Sequence, residues 1–139
     1  MSIQPSDIIG TWHLVDNYVE NPDGTRTPTR GPHPTGILMY TTDGYMNAIT
    51  RWRDRDLGEG TAADKERMFD TYQNYAGRWS LDGNTVTHHI DHALNPNFVG
   101  SSRDRKIDYQ GDRMVYVGLG SDGVSKGTIV WQRAPITRA

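Results

Sequence analysis

Residues 36–48 read GILMYTTDGYMNA and carry the clearest folding signal in the chain. The pair Asp43-Gly44 stands between two short segments rich in apolar, aromatic and β-branched residues. Glycine readily adopts the positive φ angles of tight hairpin turns, and Asp-Gly is a common pair in such turns. We therefore predict two antiparallel strands, over 36–42 and 45–52, joined by this turn.

The same turn signal recurs on both sides of this hairpin, at Asp23-Gly24, Asp82-Gly83 and Asp122-Gly123, and in reverse order at Gly111-Asp112. The segments between these turns predict six further strands, over 9–19, 77–81, 84–93, 99–109, 113–118 and 126–133. Eight short strands at this spacing indicate an all-β fold, either an antiparallel up-and-down barrel or a sandwich. A closed barrel would also leave no sheet edge exposed.

One segment departs from the strand pattern. Thr61 to Asp64 resembles a capping box, with Asp64 in place of the usual Glu or Gln. Apolar residues then recur at helical spacing, at Met68, Tyr72, Tyr75 and Ala76, and Gly77 suits a helix stop. We predict one helix over 62–76, packed over a barrel end, and an ordered loop or lid over the proline-rich residues 28–34.

The composition limits the classes of function. The 139 residues fit a single domain over 1–139, and the absence of cysteine excludes disulfides, thiolate nucleophiles and iron–sulfur clusters. A net charge of -2 and a pI of about 6.2 argue against a nucleic-acid partner. No signal-peptide pattern and no apolar run near the roughly 20 residues of a membrane span are present. We expect a cytoplasmic protein without membrane contact; whether it is a monomer or a homodimer stays open.

Several short motifs occur in a familiar order. They are GTWHLV at 10–15, GILMYTTDGYMNA at 36–48, YAGRW at 75–79, TVTHHI at 85–90, NPNFVG at 95–100, and Arg105. Over nearly its whole length the chain thus resembles the bacterial and fungal lipocalin-like domain family. The resemblance implies an eight-stranded barrel with a central cavity, in which a basic residue near the chain's end, here Arg133, lies over Trp12. We interpret that pair as a structural plug rather than a cation–π ligand clamp.

The histidines of the predicted strand 84–93 are the first candidates for chemistry. Alternate strand residues face opposite sides, so Val86, His88, Ile90 and His92 share a face that its aliphatic members predict to point inward. His89 would then face solvent. His88 and His92 lie roughly 13 Å apart along the strand, too far to chelate one ion. His88 is either a satisfied core residue or a group for ligand recognition and acid–base work.

Arg105 is the second candidate, because it shares a strand face with Ile107 and Tyr109. A buried arginine requires a partner, which would be a ligand oxygen or a structural carboxylate. Aromatic and aliphatic side chains are predicted to line the cavity around it: Leu38, Tyr40, Met46, Tyr75, Trp79, Met114 and Tyr116. Such residues form an adaptable apolar wall, although they also form an ordinary core.

No sequence feature indicates a cofactor or a metal. GLGSDG at 118–123 matches the dinucleotide pattern G-x-G-x-x-G, but a strand rather than a helix is predicted after it, so we interpret it as a glycine-rich hairpin. There is no G-x-S-x-G motif and no close carboxylate pair of the kind that hydrolases use.

Three functions remain. The favoured one is a cofactor-free enzyme that isomerises, cyclises or eliminates a small hydrophobic, aromatic or polyketide-like molecule inside the barrel. His88 or Tyr75 would move a proton, and Arg105 would stabilise negative charge on oxygen. The alternative is a carrier that binds such a molecule unchanged. A protein-interaction module with a filled barrel and an exposed apolar patch is the third.

Overall fold

The computed structural model describes residues 2–119 and 123–137. They contain two α-helices, α1 (Pro5–Ile8) and α2 (Ala62–Asp70), a short 3-10 helix (Pro96–Phe98) and nine strands. The strands are β1 (Gly10–Glu20), β2 (Arg26–Pro28), β3 (Thr35–Tyr40), β4 (Tyr45–Arg51), β5 (Tyr72–Asp82), β6 (Thr85–Ala93), β7 (Ser102–Tyr109), β8 (Arg113–Leu119) and β9 (Lys126–Arg133). The predicted turn at Asp122 and the middle of the GLGSDG segment lie outside the described residues. Neither of the described helices is long or apolar enough to cross a membrane.

The strands form one antiparallel sheet that closes on itself. Its order is β2-β1-β3-β4-β5-β6-β7-β8-β9, and β1 also pairs with β9 from Trp12 opposite Arg133 to Glu20 opposite Lys126. Eight strands therefore make a closed barrel, and β2 adds a ninth strand along β1. Gly44 takes a φ of 95° in the turn between β3 and β4, as its hairpin requires. The predicted barrel is confirmed, and the sandwich alternative is wrong.

The predicted helix over 62–76 is right at its start and wrong at its end. Thr61 and Asp64 form the reciprocal capping box, but α2 ends at Asp70 and residues from Tyr72 onward belong to β5. There Tyr72 to Ala76 pair with Arg51 to Asn47 of β4, whose backbone groups a helix would have left without partners. Gly77 is no helix stop either: a Cβ at Gly77 would lie 1.8 Å from the carbonyl oxygen of His89 on β6.

The two ends of the barrel are built differently. At what we call the plug end, α1 and the pair of Trp12 and Arg133 cover the barrel, and Trp12 and Ile8 are fully buried. At the other end, which we call the loop end, lie residues 29–34, α2 and the 3-10 helix. The core fills the plug half with apolar and aromatic side chains, among them Ile8, Trp12, Val86, Ile107 and Met114.

Candidate functional site

A cavity of about 340 Å³ lies in the loop half of the barrel. That volume is within the range of small-molecule sites, roughly 300–1,000 Å³. Its deepest walls are inward-facing strand residues at mid-barrel height, namely Leu38, His88, Tyr116 and Trp131. Arg30, Tyr75 and Arg103, nearer the loop end, and Arg105, which lies opposite Val86, also line it. A barrel with such a cavity is not the filled barrel that the protein-interaction hypothesis requires.

Four side chains in and behind this wall form one hydrogen-bonded chain. The Tyr75 hydroxyl lies 2.8 Å from Nδ1 of His88, and the Tyr40 hydroxyl lies 2.5 Å from Nε2 of the same ring. The Tyr40 hydroxyl also bonds the hydroxyl of Tyr116. The two ends of the chain, Tyr75 and Tyr116, line the cavity, whereas Tyr40 lies one layer closer to the plug end.

The chain is neutral at ordinary pH. Burial lowers the pKa of His88 to about 3, and the charges of Arg105 and Arg103 contribute to that shift. Burial also raises the pKa of Tyr75, and raises the pKa values of Tyr40 and Tyr116 well above the usual range. A neutral imidazole has one nitrogen that donates and one that accepts, so the two tyrosines bonded to His88 play opposite roles at any moment.

Three arginines line the cavity, and none of the described residues that line it is an Asp or Glu. Arg30 donates to the carbonyl oxygen of Thr29, to Thr50 and to Gln73. Arg105 donates to the carbonyl oxygen of Asp104. The guanidinium of Arg103 lies 4.3 Å from the ring centre of Phe98. Within the described residues, none of these three arginines forms an ion pair with a carboxylate.

Two buried donors that belong to cavity-lining residues lack a hydrogen-bond partner among the described residues. They are Nε of Arg103 and Nε1 of Trp131, whose side chain is 1 % exposed. Burial lowers the pKa of the Arg103 guanidinium, and so does the neighbouring charge of Arg105. The cavity therefore carries positive charge on a wall that combines aromatic and aliphatic side chains with uncharged polar ones such as Asn17, Gln73 and Thr128.

Five of the residues predicted from sequence for the site line the cavity: Leu38, Tyr75, His88, Arg105 and Tyr116. His88 is fully buried and His89 is not, so the predicted register of this strand is confirmed at this point. The predictions that Tyr40, Met46, Trp79 and Met114 line the cavity are wrong. Met46 and Met114 lie one layer closer to the plug end than Ala48 and Tyr116, and are core residues. Trp79 packs against Tyr40 and donates to the carbonyl oxygen of Thr41.

The prediction that His92 shares the inner face of β6 is also wrong, because His92 is exposed. The register explains the difference. Gly77 pairs with Ile90 while the preceding Ala76 pairs with His92, so β6 has one extra residue, Asp91, at this point. Such a β-bulge reverses which face the following residues point to. For that reason the alternation of inward and outward side chains along β6, counted from His88, does not extend to His92.

Arg30, Arg103 and Trp131 line the cavity but were not among the site residues predicted from the sequence. Arg103 lies directly opposite His88 on β7, whereas Arg105 lies opposite Val86. The same alternation that selected Arg105 would have found Arg103, two residues earlier, and Trp131, two residues before Arg133. No sequence pattern indicated Arg30, which reaches the cavity from an irregular loop. No group of three or more His, Asp or Glu in the described residues could hold a metal ion.

The family model of the lipocalin-like domain matches residues 9–134, from the start of β1 to the end of β9. The chain belongs to the lipocalin-like domain family. No curated protein matches it in sequence. Among solved structures, an uncharacterized protein from Bacteroides eggerthii DSM 20697 is similar, with a TM-score of 0.48 and 11% identity. The match covers 91% of this chain and 99% of that one. The lipocalin-like barrel and its cavity suit the binding of a hydrophobic ligand.

Proposed function

We propose that this lipocalin-like barrel is a cofactor-free enzyme that moves a proton within a small, largely apolar molecule bound in the cavity. The observation that carries the proposal is the hydrogen-bonded chain Tyr75–His88–Tyr40–Tyr116, whose two terminal residues line one cavity. Isomerisation, cyclisation and elimination by proton transfer are all chemistry that such a chain can serve.

The chain has two neutral arrangements. When Nδ1 of His88 carries the hydrogen, it donates to Tyr75, and the Tyr75 hydroxyl is free to donate into the cavity. Tyr116 then donates to Tyr40, and Tyr40 donates to Nε2. In the other arrangement every hydrogen bond reverses, Nε2 carries the hydrogen, and Tyr116 donates into the cavity. One end is always a proton donor to the ligand while the other end is an acceptor.

A single turnover converts one arrangement into the other. The accepting tyrosine takes a proton from a carbon of the ligand, each hydrogen along the chain moves by one bond, and the donating tyrosine returns a proton elsewhere on the ligand. No group in the chain ends with a charge, which suits a buried site where charge is costly. Arg105 would stabilise negative charge that develops on a ligand oxygen during the transfer.

A test can use 2-tetralone, an aromatic ketone with acidic C–H groups, as the probe. In D2O the wild-type protein should accelerate deuterium exchange at the carbon beside the carbonyl, followed by proton NMR. Tyr75→Phe should abolish the acceleration because it removes one end of the chain. His88→Gln should do so too, because an amide donates and accepts but does not relay a proton between its nitrogen and oxygen.

The alternative function is a carrier that binds such a molecule unchanged. It is favoured by the fact that both ring nitrogens of His88 already have partners, as in a satisfied core histidine. Binding of 2-tetralone by calorimetry without accelerated exchange would support the carrier and contradict the enzyme. His89→Ala is the matched control, because His89 faces away from the cavity, and it should exchange like the wild type.

A further inference from the structure

The charged residues that line the cavity indicate which kind of ligand it binds. Arg30, Arg103 and Arg105 all line it; burial lowers the pKa of Arg30 and of Arg103, and the charge of Arg103 adds to the first shift as that of Arg105 adds to the second. Gathering like charges around a partly buried space is unfavourable unless something neutralises them. No described carboxylate does so, because the lining contains neither Asp nor Glu and the only described ion pairs lie elsewhere.

The hydrogen bonds of the three arginines show which guanidinium groups are available to a ligand. Buried donors in folded proteins nearly always have a partner. Nε of Arg103 and Nε1 of Trp131 have none among the described residues; both residues line the cavity, but these two atoms are enclosed by the surrounding side chains. By contrast, Arg30 is held by Thr50 and Gln73, so its charge contributes to the site while its guanidinium is already engaged. The donors left for a ligand are the terminal guanidinium N–H groups of Arg103 and those of Arg105 that are not bonded to Asp104.

We propose that the natural ligand is an organic monocarboxylate with an apolar, ring-containing body, bound with its carboxylate at Arg103 and Arg105. This deepens the proposed function and rests on it, since the cavity is the same. Arginine presents parallel N–H groups that match the two oxygens of a carboxylate. The body of the ligand then lies along Leu38, Ala48 and Trp131, with the ends of the tyrosine–histidine chain beside it.

Two arginines on one strand suit this role geometrically. Arg103 and Arg105 are two residues apart on β7 and face the same side, which separates their backbones by about 7 Å. Their long side chains can therefore reach one carboxylate from two directions. Phe98 packs under the guanidinium of Arg103 and limits where it can move. A ligand anchored in this way presents a fixed part of its body to Tyr75 and Tyr116.

The experiment uses a matched pair of probes, naphthalene-2-carboxylate and naphthalene-2-carboxamide, which share ring and size and differ in charge. Isothermal titration calorimetry at low ionic strength should give about tenfold or more tighter binding for the carboxylate. Arg103→Gln and Arg105→Gln should each lose most of that preference and bind the carboxamide as the wild type does. Lys106→Gln removes the same charge from the outer face of β7 and should change neither affinity.

Binding of the carboxamide also shows that each variant is folded, so a loss of carboxylate binding has a clear meaning. Equal affinity of the wild type for both probes would overturn the proposal, and so would an equal loss of both in the arginine variants. Displacement of the carboxylate by millimolar inorganic phosphate would assign the site to phosphate esters and overturn the carboxylate class. Because calorimetry needs no turnover, carboxylate-selective binding without proton exchange would contradict only the proposed catalysis.

Discussion

The plug end and the loop end both place an arginine over an aromatic ring, yet they use it differently. At the plug end the Arg133 guanidinium lies 4.2 Å from the Trp12 ring centre, and it donates to the carbonyl oxygens of Ile9 and Asp7. Trp12 in turn donates to the carbonyl oxygen of Ile8. At the loop end Arg103 lies at a similar distance from Phe98, but its buried Nε has no described partner.

The difference teaches how to interpret an arginine stacked on a ring. The stack itself is a packing device that occurs at both ends of this barrel. What separates architecture from a binding site is whether the remaining donors are satisfied by the protein. The guanidinium of Arg133 donates to backbone carbonyl oxygens and so holds the N-terminal segment in place. The guanidinium of Arg103 donates to no described residue and lines the cavity, which is the arrangement expected where a ligand supplies the acceptors.

The variants with the largest expected effect on stability remove the aromatic ring at each end of the barrel. Trp12→Ala should lower the free energy of unfolding by roughly 3–5 kcal/mol, since Trp12 is fully buried and its loss leaves a cavity under α1. Phe98→Ala, at a half-buried residue, should cost about 1 kcal/mol. Urea unfolding followed by circular dichroism measures both. At a temperature where Trp12→Ala is folded, it should bind the carboxylate probe like the wild type; loss of binding would make Trp12 part of the site.

The second test uses acid, which should act on the loop half through His88. The pKa of its ring is about 3 in the folded barrel, against an ordinary value of 6.5. Between these two pH values the unfolded chain therefore binds a proton at His88 and the folded chain does not. The stability contributed by the neutral ring is complete above pH 6.5 and is lost as pH falls from 6.5 toward 3, by up to about 1.4 kcal/mol per unit.

His88→Gln isolates this dependence. Between about pH 6 and 5, before most carboxylates titrate, urea unfolding should show the wild type losing stability faster than the variant. The other four histidines contribute to both proteins alike and cancel in the difference. If the free energy of unfolding fell equally with pH in both proteins, His88 would take up a proton as readily in the folded barrel as in the unfolded chain. The neutral hydrogen-bonded chain described above would then not exist.

The third test compares the two arginines directly by stability. Arg133→Met leaves two carbonyl oxygens at the plug end without their donor, and should cost about 1–3 kcal/mol. Arg103→Met removes a charge that is repelled by Arg30 and Arg105, so stability should stay level or rise slightly. Thermal unfolding of both variants in the absence of ligand makes the comparison. A large loss in Arg103→Met would show that Arg103 is structural.

The sequence predicted the frame of this molecule better than its interior. Hairpin turns such as Asp43-Gly44 and the capping box at Thr61 are local signals, so the strands and the start of α2 could be located from neighbouring residues alone. The end of α2 could not, because β4 competes for residues 72–76 and only the folded sheet reveals that competition. Likewise, His88 followed simple alternation, but the bulge at Asp91 that exposes His92 depends on the pairing of β5 with β6.

The candidate site shows the same division. Arg105 could be selected because its strand face was readable, and Arg103 could have been selected by the same rule. Arg30 could not, since a loop residue far from Arg103 in the chain meets it only through the closed barrel. The pairing of His88 with three tyrosines is also a tertiary fact: Tyr40, Tyr75 and Tyr116 come from three different strands. The sequence identified candidate residues of the right chemical type, and closure of the barrel places these residues next to one another.

The smallest expected effect sharpens the contrast between the inside and the outside of one strand. His89 follows His88 directly, but its ring lies outside the barrel, within 3.2 Å of the hydroxyls of Ser80 and Ser102. Partly exposed hydrogen bonds of this kind contribute little, so His89→Ala should change stability by less than about 0.5 kcal/mol. Carboxylate affinity and tetralone exchange should equal those of the wild type, because no described hydrogen bond connects His89 to the cavity. If His89→Ala instead lost binding while His88→Gln kept it, the assignment of faces on β6 would be wrong, and the proton chain through His88 would have to be abandoned.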